Sequence, residues 1–388
     1  MDMDELLQLR KFIAPEIVYG PGALTLAGHH ACNFGASKVL VVTDPGVRQA
    51  GWAGKVEASL QAQDVAYAVF SEVTPNPKDL EVMAGAEIYR RQGCDLILAI
   101  GGGSPMDCAK GIGMVVGNDQ HIRTFEGVDE VPGPGPPMIF IPTTAGTSAD
   151  VSQFAVITDT RRSVKMVIVS KMAIPDIAIV DPRTTVTMSP QLTGATGMDA
   201  LSHAFEAYVS TAGSILTDVP ALEAVRLICS NIEGAYRFPD QMAFREPVMA
   251  ASLMAGLAFS NAGLGLVHAM AHSLGGMLDL AHGENNAMLL EQVVSFNFPV
   301  AAAKYTRLAQ AMGVAVEGEN SETVAVELAQ CLAALRQRLG FARTLSDLGV
   351  QECDLPQLVE KAGNDPCLST NPRKASPAQI EAIYRAIY

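Results

Sequence analysis

Along the chain, the pattern of apolar and polar positions changes character near the middle. In the first half, short runs of consecutive apolar residues recur: KVLVVTD (38–44), YAVFSEV (67–73), CDLILAIGGG (94–103), MIFIPTTAGTS (138–148) and IAIVDP (177–182). Each has the length of a strand and ends in turn-forming residues. Helical stretches, GWAGKVEASLQAQ (51–63) and DLEVMAGAEIYRRQG (79–93), separate the first three. Continuously apolar strands alternating with helices predict a doubly wound, mostly parallel, Rossmann-like sheet covered on both faces. VPGPGPPM (131–138) predicts a surface loop, and QFAVITDTRRSVKMVIVS (153–170) a hairpin with Asp159 to Arg162 at its tip. Beyond about residue 184 the strand signal fades into Ala-, Leu- and Met-rich helical sequence broken by Gly, Pro or Asn. The pattern therefore predicts an α/β N-terminal domain (1–184) and an all-α C-terminal domain (185–388), joined near DPRTTVTMSP (181–190). No internal repeat or low-complexity segment interrupts it.

Composition narrows the classes. A chain of 388 residues exceeds the usual size of one core, which agrees with two domains. With 49% hydrophobic and 18% charged residues it can bury large cores. A formal charge of −14 argues against nucleic acid or an anionic membrane surface as partner. The start, MDMDELLQLRKFIAPEIVYG, lacks a basic region followed by an apolar run, so no secretory leader is expected. No apolar run approaches the ~18 residues of a membrane span. Seven scattered cysteines without a CxxC pair suit reduced thiols in the cytoplasm better than disulfides or a zinc–thiolate site.

Chemistry first appears in LAIGGGSPMDCAK (98–110). Gly101, Gly102 and Gly103 follow a strand, and Ser104 and Pro105 read as N-cap and first-turn residue of a helix, with Asp107 where a capping-box acid would sit. Glycines let a phosphate approach the backbone, and free amides at a helix start favour an anion. The loop is neither GxGxxG nor a Walker sequence, so it predicts another variant of nucleotide binding. Asp44 ends the first strong strand. It can accept from a ribose diol and repel a 2′-phosphate, favouring NAD over NADP, or it can simply cap a helix at Pro45. PTTAGTS (142–148) can line a phosphate or sugar, as can many solvated loops.

The histidines bring a second chemistry. GMDALSHAFEAYVS (197–210) reads as the start of a helix and places Asp199 and His203 one turn apart on one face. HAMAHSLGGMLDLAHG (268–283) does the same for His268 and His272, and His282 follows. One aspartate and several histidines in one helical domain offer hard oxygen and borderline nitrogen donors, suited to divalent Fe, Zn, Co, Ni or Mn. These residues alone leave open which histidine stays out.

Taken together, GGGSPMDCAK, PTTAGTS, TGMDALSHAFEAYVS, GLGLVHAMAHSLGG, HGENNAMLL and NPR make the chain resemble the iron-containing (group III) alcohol dehydrogenases along nearly its whole length. The resemblance implies Asp199, His203, His268 and His282 as ligands of Fe(II), with Zn(II) possible. It leaves His272 near nicotinamide and substrate, able to relay the alcohol proton. Gly101–Ser104 would hold the pyrophosphate and Asp44 the adenosine ribose. Thr143, Thr144 and Ser148 would line the cofactor cleft, with Asp107 in the same loop region and Lys165 at the nicotinamide ribose. The implied reaction is hydride transfer between NAD(H) and a metal-activated primary alcohol or aldehyde, in a homodimer or higher homo-oligomer. The chain departs from the family's AGTGSE (here AGTSAD) and LLPHV (here LLEQV), which touches no ligand but bears on the substrate pocket. Its wording is most similar to a subgroup linked to regulation of alcohol oxidation. Alternatives are a polyol (glycerol-type) dehydrogenase, a catalytically weak NAD- and metal-binding regulatory protein, dehydroquinate synthase, and a metal hydrolase without nucleotide. Ligand helices poor in Arg and Lys weigh against dehydroquinate synthase, and the glycine loop and Asp44 against the hydrolase.

Overall fold

The apolar runs of the first half become strands of one parallel sheet in the computed structural model, which describes residues 10–162, 164–278 and 282–388. Residues 1–9, part of the segment read above for a leader, lie outside the described residues. In chain order the strands are β1 (Glu16–Tyr19), β2 (Lys38–Val42), β3 (Ala66–Phe70), β4 (Leu96–Gly101), β5 (Gly127–Val128), β6 (Met138–Pro142), β7 (Phe154–Asp159), β8 (Val164–Val169) and β9 (Ile177–Val180). Six form a sheet in the order β1-β9-β6-β4-β2-β3, with every pairing parallel. The connecting helices are α1 (Ala27–Asn33), α2 (Pro45–Gln49), α3 (Trp52–Gln61), α4 (Asp79–Gln92) and α5 (Gly103–Asn118).

The central strands β4, β6 and β9 are buried along their whole length because both faces are covered. On β4, Leu96, Leu98 and Ile100 join one buried cluster with Val39 and Val41 of β2, while Ile97 and Ala99 join the other with Leu40 and Val42. Alternate residues point to opposite faces, so burial on both leaves no polar position. The predicted hairpin forms as β7 and β8, antiparallel, with β5 added to make a second sheet of three strands. A buried ion cluster anchors its tip: Arg123 pairs with Asp79 of α4 and with Asp159, which also takes Arg162.

The second half is helical: α6 (Pro190–Val209), α7 (Ile215–Arg237), α8 (Met242–Ala262), α9 (Leu266–Leu278), α10 (His282–Ala311), α11 (Ser321–Arg338), α12 (Leu355–Gly363) and α13 (Pro377–Ala386). The stretch read as the start of a helix at 197–210 instead fills the later part of α6, which begins at Pro190, the first-turn position proline favours. Two compact units result. One joins Ala14–Thr193 with Gly234–Leu253, and the other joins Gly194–Glu233 with Met254–Tyr388 and residues 10–13. Arg245 shows why 234–253 packs with the α/β unit. It is 2% exposed and donates to Pro239 O, Thr193 Oγ1 and Met188 O, three neutral oxygens that satisfy a guanidinium without a carboxylate. Among the described residues no single helix is long and apolar enough to cross a membrane.

Candidate metal centre and nucleotide loop

Three separate helices of the helical unit converge on one carboxylate oxygen. Asp199 and His203 lie one turn apart on α6, His268 sits in the first turn of α9, and His282 opens α10. Asp199 Oδ1 is 3.9 Å from His203 Nε2, 3.8 Å from His268 Nε2 and 3.9 Å from His282 Nε2. Metal–ligand bonds of about 2.1 Å at tetrahedral angles place donor atoms about 3.4 Å apart, so the distances from Asp199 are slightly open. The ligand atoms of Asp199, His268 and His282 lie within 4.8 Å of one another, and His203 stands somewhat wider of that trio. Close helix packing makes the convergence possible. A Cβ on Gly283 would stand 1.9 Å from Ala195 O, so only glycine lets α10 start this near α6. The His203 ring lies stacked between Phe259, with centroids 4.2 Å apart, and His268, at 4.6 Å.

The electrostatics match the geometry. Burial alone would push the Asp199 carboxyl up, but His203, His268 and His282 outweigh it and hold it below the usual carboxylate range. Burial also works against charge on His268, yet Glu206 and Asp199 prevail and raise it to about 9. Asn286 Nδ2 donates to Asp199 Oδ1 at 2.6 Å and lies 3.1 Å from His268 Nε2. The buried Asn286 Oδ1 finds no partner among the described residues. One carboxylate oxygen and three imidazole nitrogens form a donor set that fits a borderline divalent ion.

Glu206 is the part that sequence reading missed. It is 5% exposed on α6, and its Oε2 lies 2.6 Å from His268 Nδ1 while Oε1 accepts from Val267 N at 2.6 Å. A carboxylate on Nδ1 fixes the tautomer and ring orientation of a ligating histidine. The signal was present: Glu206 stands three positions after His203 and seven after Asp199, on the same helical face. The NPR motif also finds its place here. Asn371 Oδ1 accepts from Leu266 N at 3.1 Å, so it and Glu206 together cap the start of α9.

His272, one turn after His268, stays outside this cage. Its Nδ1 is 2.9 Å from Asp365 Oδ2, and its ring stacks on His282 with centroids 5.2 Å apart. Burial pushes Asp365 up, but the hydrogen bond and charge of His272, with Cys367 N–H, bring it down to about 2.

In the α/β unit the glycine loop, Asp44 and the PTT loop come together. The helix begins two residues earlier than expected. Gly102 is the N-cap of α5 and offers no side-chain cap, so Ser104 is not the cap and Asp107 is not a capping-box acid. The reason is β4, which runs on to Gly101 and leaves only Gly102 to make the turn. The cap residue therefore supplies no side-chain acceptor to the first amides of α5, as an anion site requires. A Cβ on Gly102 would stand 3.2 Å from Thr144 Cγ2, and one on Gly101 would stand 2.6 Å from Pro105 Cγ and 3.4 Å from Asp44 Oδ2. Thr143 N donates to Gly101 O at 2.8 Å, joining the two loops. Asp44 does cap α2, since Oδ1 accepts from Val47 N at 2.9 Å, and this leaves Oδ2 beside the glycines.

The remaining residues singled out for this site are held elsewhere in the same unit. Ser148, at φ 51°, donates from Oγ to Ser252 O at 2.7 Å. Lys165 Nζ donates to Asn76 Oδ1 at 2.8 Å. Asp107 is buried on α5 and accepts from Val156 N of β7 at 3.2 Å, while Lys110 donates to Ser152 O at 2.8 Å and Phe154 O at 2.7 Å. Burial raises Asp107 to about 6 and lowers Lys110 to about 8, so this pair works as a tie between α5 and β7.

The chain is similar to known proteins along both of its halves. Residues 14–182 match the family model described as iron-containing alcohol dehydrogenase, and residues 193–388 match the Fe-containing alcohol dehydrogenase family, C-terminal. A 1,3-propanediol dehydrogenase of Klebsiella pneumoniae is 39% identical over 97% of this chain and 98% of its own length. An NAD-dependent methanol dehydrogenase of Bacillus methanolicus is 36% identical over 96% of this chain and 98% of its own. The crystal structure of a 1,3-propanediol oxidoreductase superposes with a TM-score of 0.96 at 38% identity, covering 98% of this chain and all of that one. The chain belongs to the iron-containing alcohol dehydrogenase family, NAD-dependent oxidoreductases that use a divalent metal to interconvert alcohols and aldehydes.

Proposed function

We propose that this protein interconverts short primary alcohols or diols and their aldehydes with NAD(H). The ion, iron first and zinc as the alternative, would be held by Asp199, His203, His268 and His282. The observation that carries this reading is the single Asp199 oxygen ringed by three Nε2 atoms at 3.8 to 3.9 Å. The bound ion supplies Lewis acidity, which favours the alkoxide in one direction and polarises the carbonyl in the other. Glu206, held on Nδ1, would keep the His268 lone pair on Nε2 when the ion is bound.

NAD would rest its pyrophosphate on the free amides of Gly103 and Ser104. Thr143 and Thr144 would line it, and Lys165 would serve the nicotinamide ribose. Asp44 Oδ2, free of the capping bond, would accept from the adenosine ribose and disfavour a 2′-phosphate. Asp107 and Ser148 would act less directly, holding α5 and the PTT loop in place through Val156 and Ser252. His272 would take the alcohol proton and pass it to solvent. The free cysteines support a reducing compartment such as the cytoplasm, and the family resemblance supports a homodimer or higher homo-oligomer.

Names of relatives support the substrate class: propanediol, methanol and lactaldehyde appear among them. The test is a panel of short primary alcohols, diols and aldehydes, assayed with NAD(H) and NADP(H) on metal-analysed protein. Turnover of at least one primary alcohol with NAD is expected. Metal and NAD both bound with no turnover across the panel would overturn the reading in favour of a regulatory role.

A further inference from the structure

We propose that Asp365 is a positioning residue, which holds His272 in the tautomer that accepts the alcohol proton. The inference rests on the reading of His272 given above and adds the group that makes it work.

Helix α9 presents two histidines one turn apart, and each has its Nδ1 against a carboxylate from another segment. Glu206 of α6 serves His268 at 2.6 Å, and Asp365 serves His272 at 2.9 Å. A carboxylate can only accept, so the proton of His272 resides on Nδ1 and the lone pair on Nε2. Asp365 is itself held in place. Its Oδ1 accepts from Cys367 N at 2.9 Å, capping the short turn Pro366–Thr370, which leaves Oδ2 for the imidazole. The stack on His282, at 17° between ring planes, fixes the other direction of the His272 ring. The His272 side chain keeps 18% of its surface exposed, so a proton gained there can leave to water.

His272, Asp365 and Cys367 could also be read as three donors for a second ion, since one ligand atom of each lies within 4.8 Å of the others. The dyad accounts for the site better. Both Asp365 oxygens are already employed, and Cys367 is buried and pushed well above the ordinary thiol range, first by burial and then by Asp365. A neutral thiol is a poor ligand.

In oxidation the carbinol C–H bond breaks and its hydrogen leaves with both electrons as hydride to C4 of NAD⁺, giving NADH. The O–H bond breaks and its proton forms an N–H bond at His272 Nε2, from which water takes it. Asp365 remains a carboxylate and steadies the imidazolium.

The test uses the full-length protein loaded with zinc and labelled with ¹⁵N-histidine. The His272 resonances are assigned by their loss in His272→Ala. Wild type should show His272 protonated at Nδ1 with Nε2 bare. Asp365→Asn keeps an oxygen for Cys367 N–H but turns its amide on Nδ1, so the tautomer should invert. Its kcat should fall by about 10²–10⁴-fold, as in His272→Ala. KM and metal content should stay within about threefold, and Asp365→Glu should recover part of the loss. A wild-type His272 protonated at Nε2 overturns the proposal without any variant, and so does an Asp365→Asn protein with unchanged tautomer and kcat beside an inactive His272→Ala. If His272→Ala keeps full kcat, the reading of His272 fails first, and the catalytic role of Asp365 with it.

Discussion

Replacing Glu206 by glutamine tests how the metal cage is held. Each Glu206 oxygen sits 2.6 Å from one nitrogen, His268 Nδ1 and Val267 N, in a buried site. Glutamine has nearly the same shape but only one acceptor. If its oxygen turns to Val267 N–H, its amide faces His268 Nδ1 and drives the ring proton to Nε2. That is the atom 3.8 Å from Asp199 Oδ1, so one of four donors is lost. If the oxygen turns to His268, two N–H donors face each other, at about 1–3 kcal/mol for the unsatisfied buried group. Either way a charge-assisted bond to the imidazole, worth about 1.5–3 kcal/mol, is replaced by a weaker one or none. The expected outcome is metal binding weaker by about 10- to 100-fold, the range typical of orienting carboxylates. Competition against a chromophoric chelator reads this directly with zinc, and anaerobically with Fe(II), while a parallel NAD titration should be unchanged. A dissociation constant within about twofold of wild type, in a variant of unchanged melting temperature, would show that His268 needs no partner at Nδ1.

His282→Ala should leave the protein with less than stoichiometric metal and little turnover while NAD still binds; full metal occupancy would take His282 out of the ligand set. Asp44→Ser keeps an acceptor for Val47 N–H but removes the charge, so preference for NAD over NADP should fall by about tenfold, given more than ~1 kcal/mol for a unit charge at contact distance. An unchanged ratio of kcat/KM for the two cofactors would place the ribose elsewhere. Asp365 is brought down to about 2 in the fold, below the ~3.9 of an unfolded aspartate. Its contribution, on the order of 2 kcal/mol, is therefore complete above pH ~4 and lost as pH falls towards 2. Asp365→Asn should flatten the dependence of unfolding midpoint on pH in that window, and a slope equal to wild type would refute the linkage.

Much of the fold could be read from local pattern. Apolar runs such as LILAIG (96–101) are strands because each residue is buried on one face or the other, and the hairpin expected at 153–170 forms there. Helical spacing also sufficed to pair Asp199 with His203 and His268 with His272, since residues four apart share a face whatever surrounds the helix. What spacing could not supply is which faces meet. The choice of His282 as the third imidazole at Asp199, with His272 turned to Asp365, follows from how α6, α9 and α10 pack, down to the Gly283 contact with Ala195. Glu206 and Asp365 reach their histidines across 62 and 93 residues of chain, so no window of sequence holds both partners. Ser104 and Asp107 show the same limit in reverse. Their local pattern spelled a cap and a capping box, but the register of β4 started the helix at Gly103 and Val156 of β7 took up Asp107. A side chain's angle about its own helix is determined by its sequence position alone. The partner waiting at that angle is chosen by tertiary packing, because burial leaves each polar group only the neighbours that other segments bring to it.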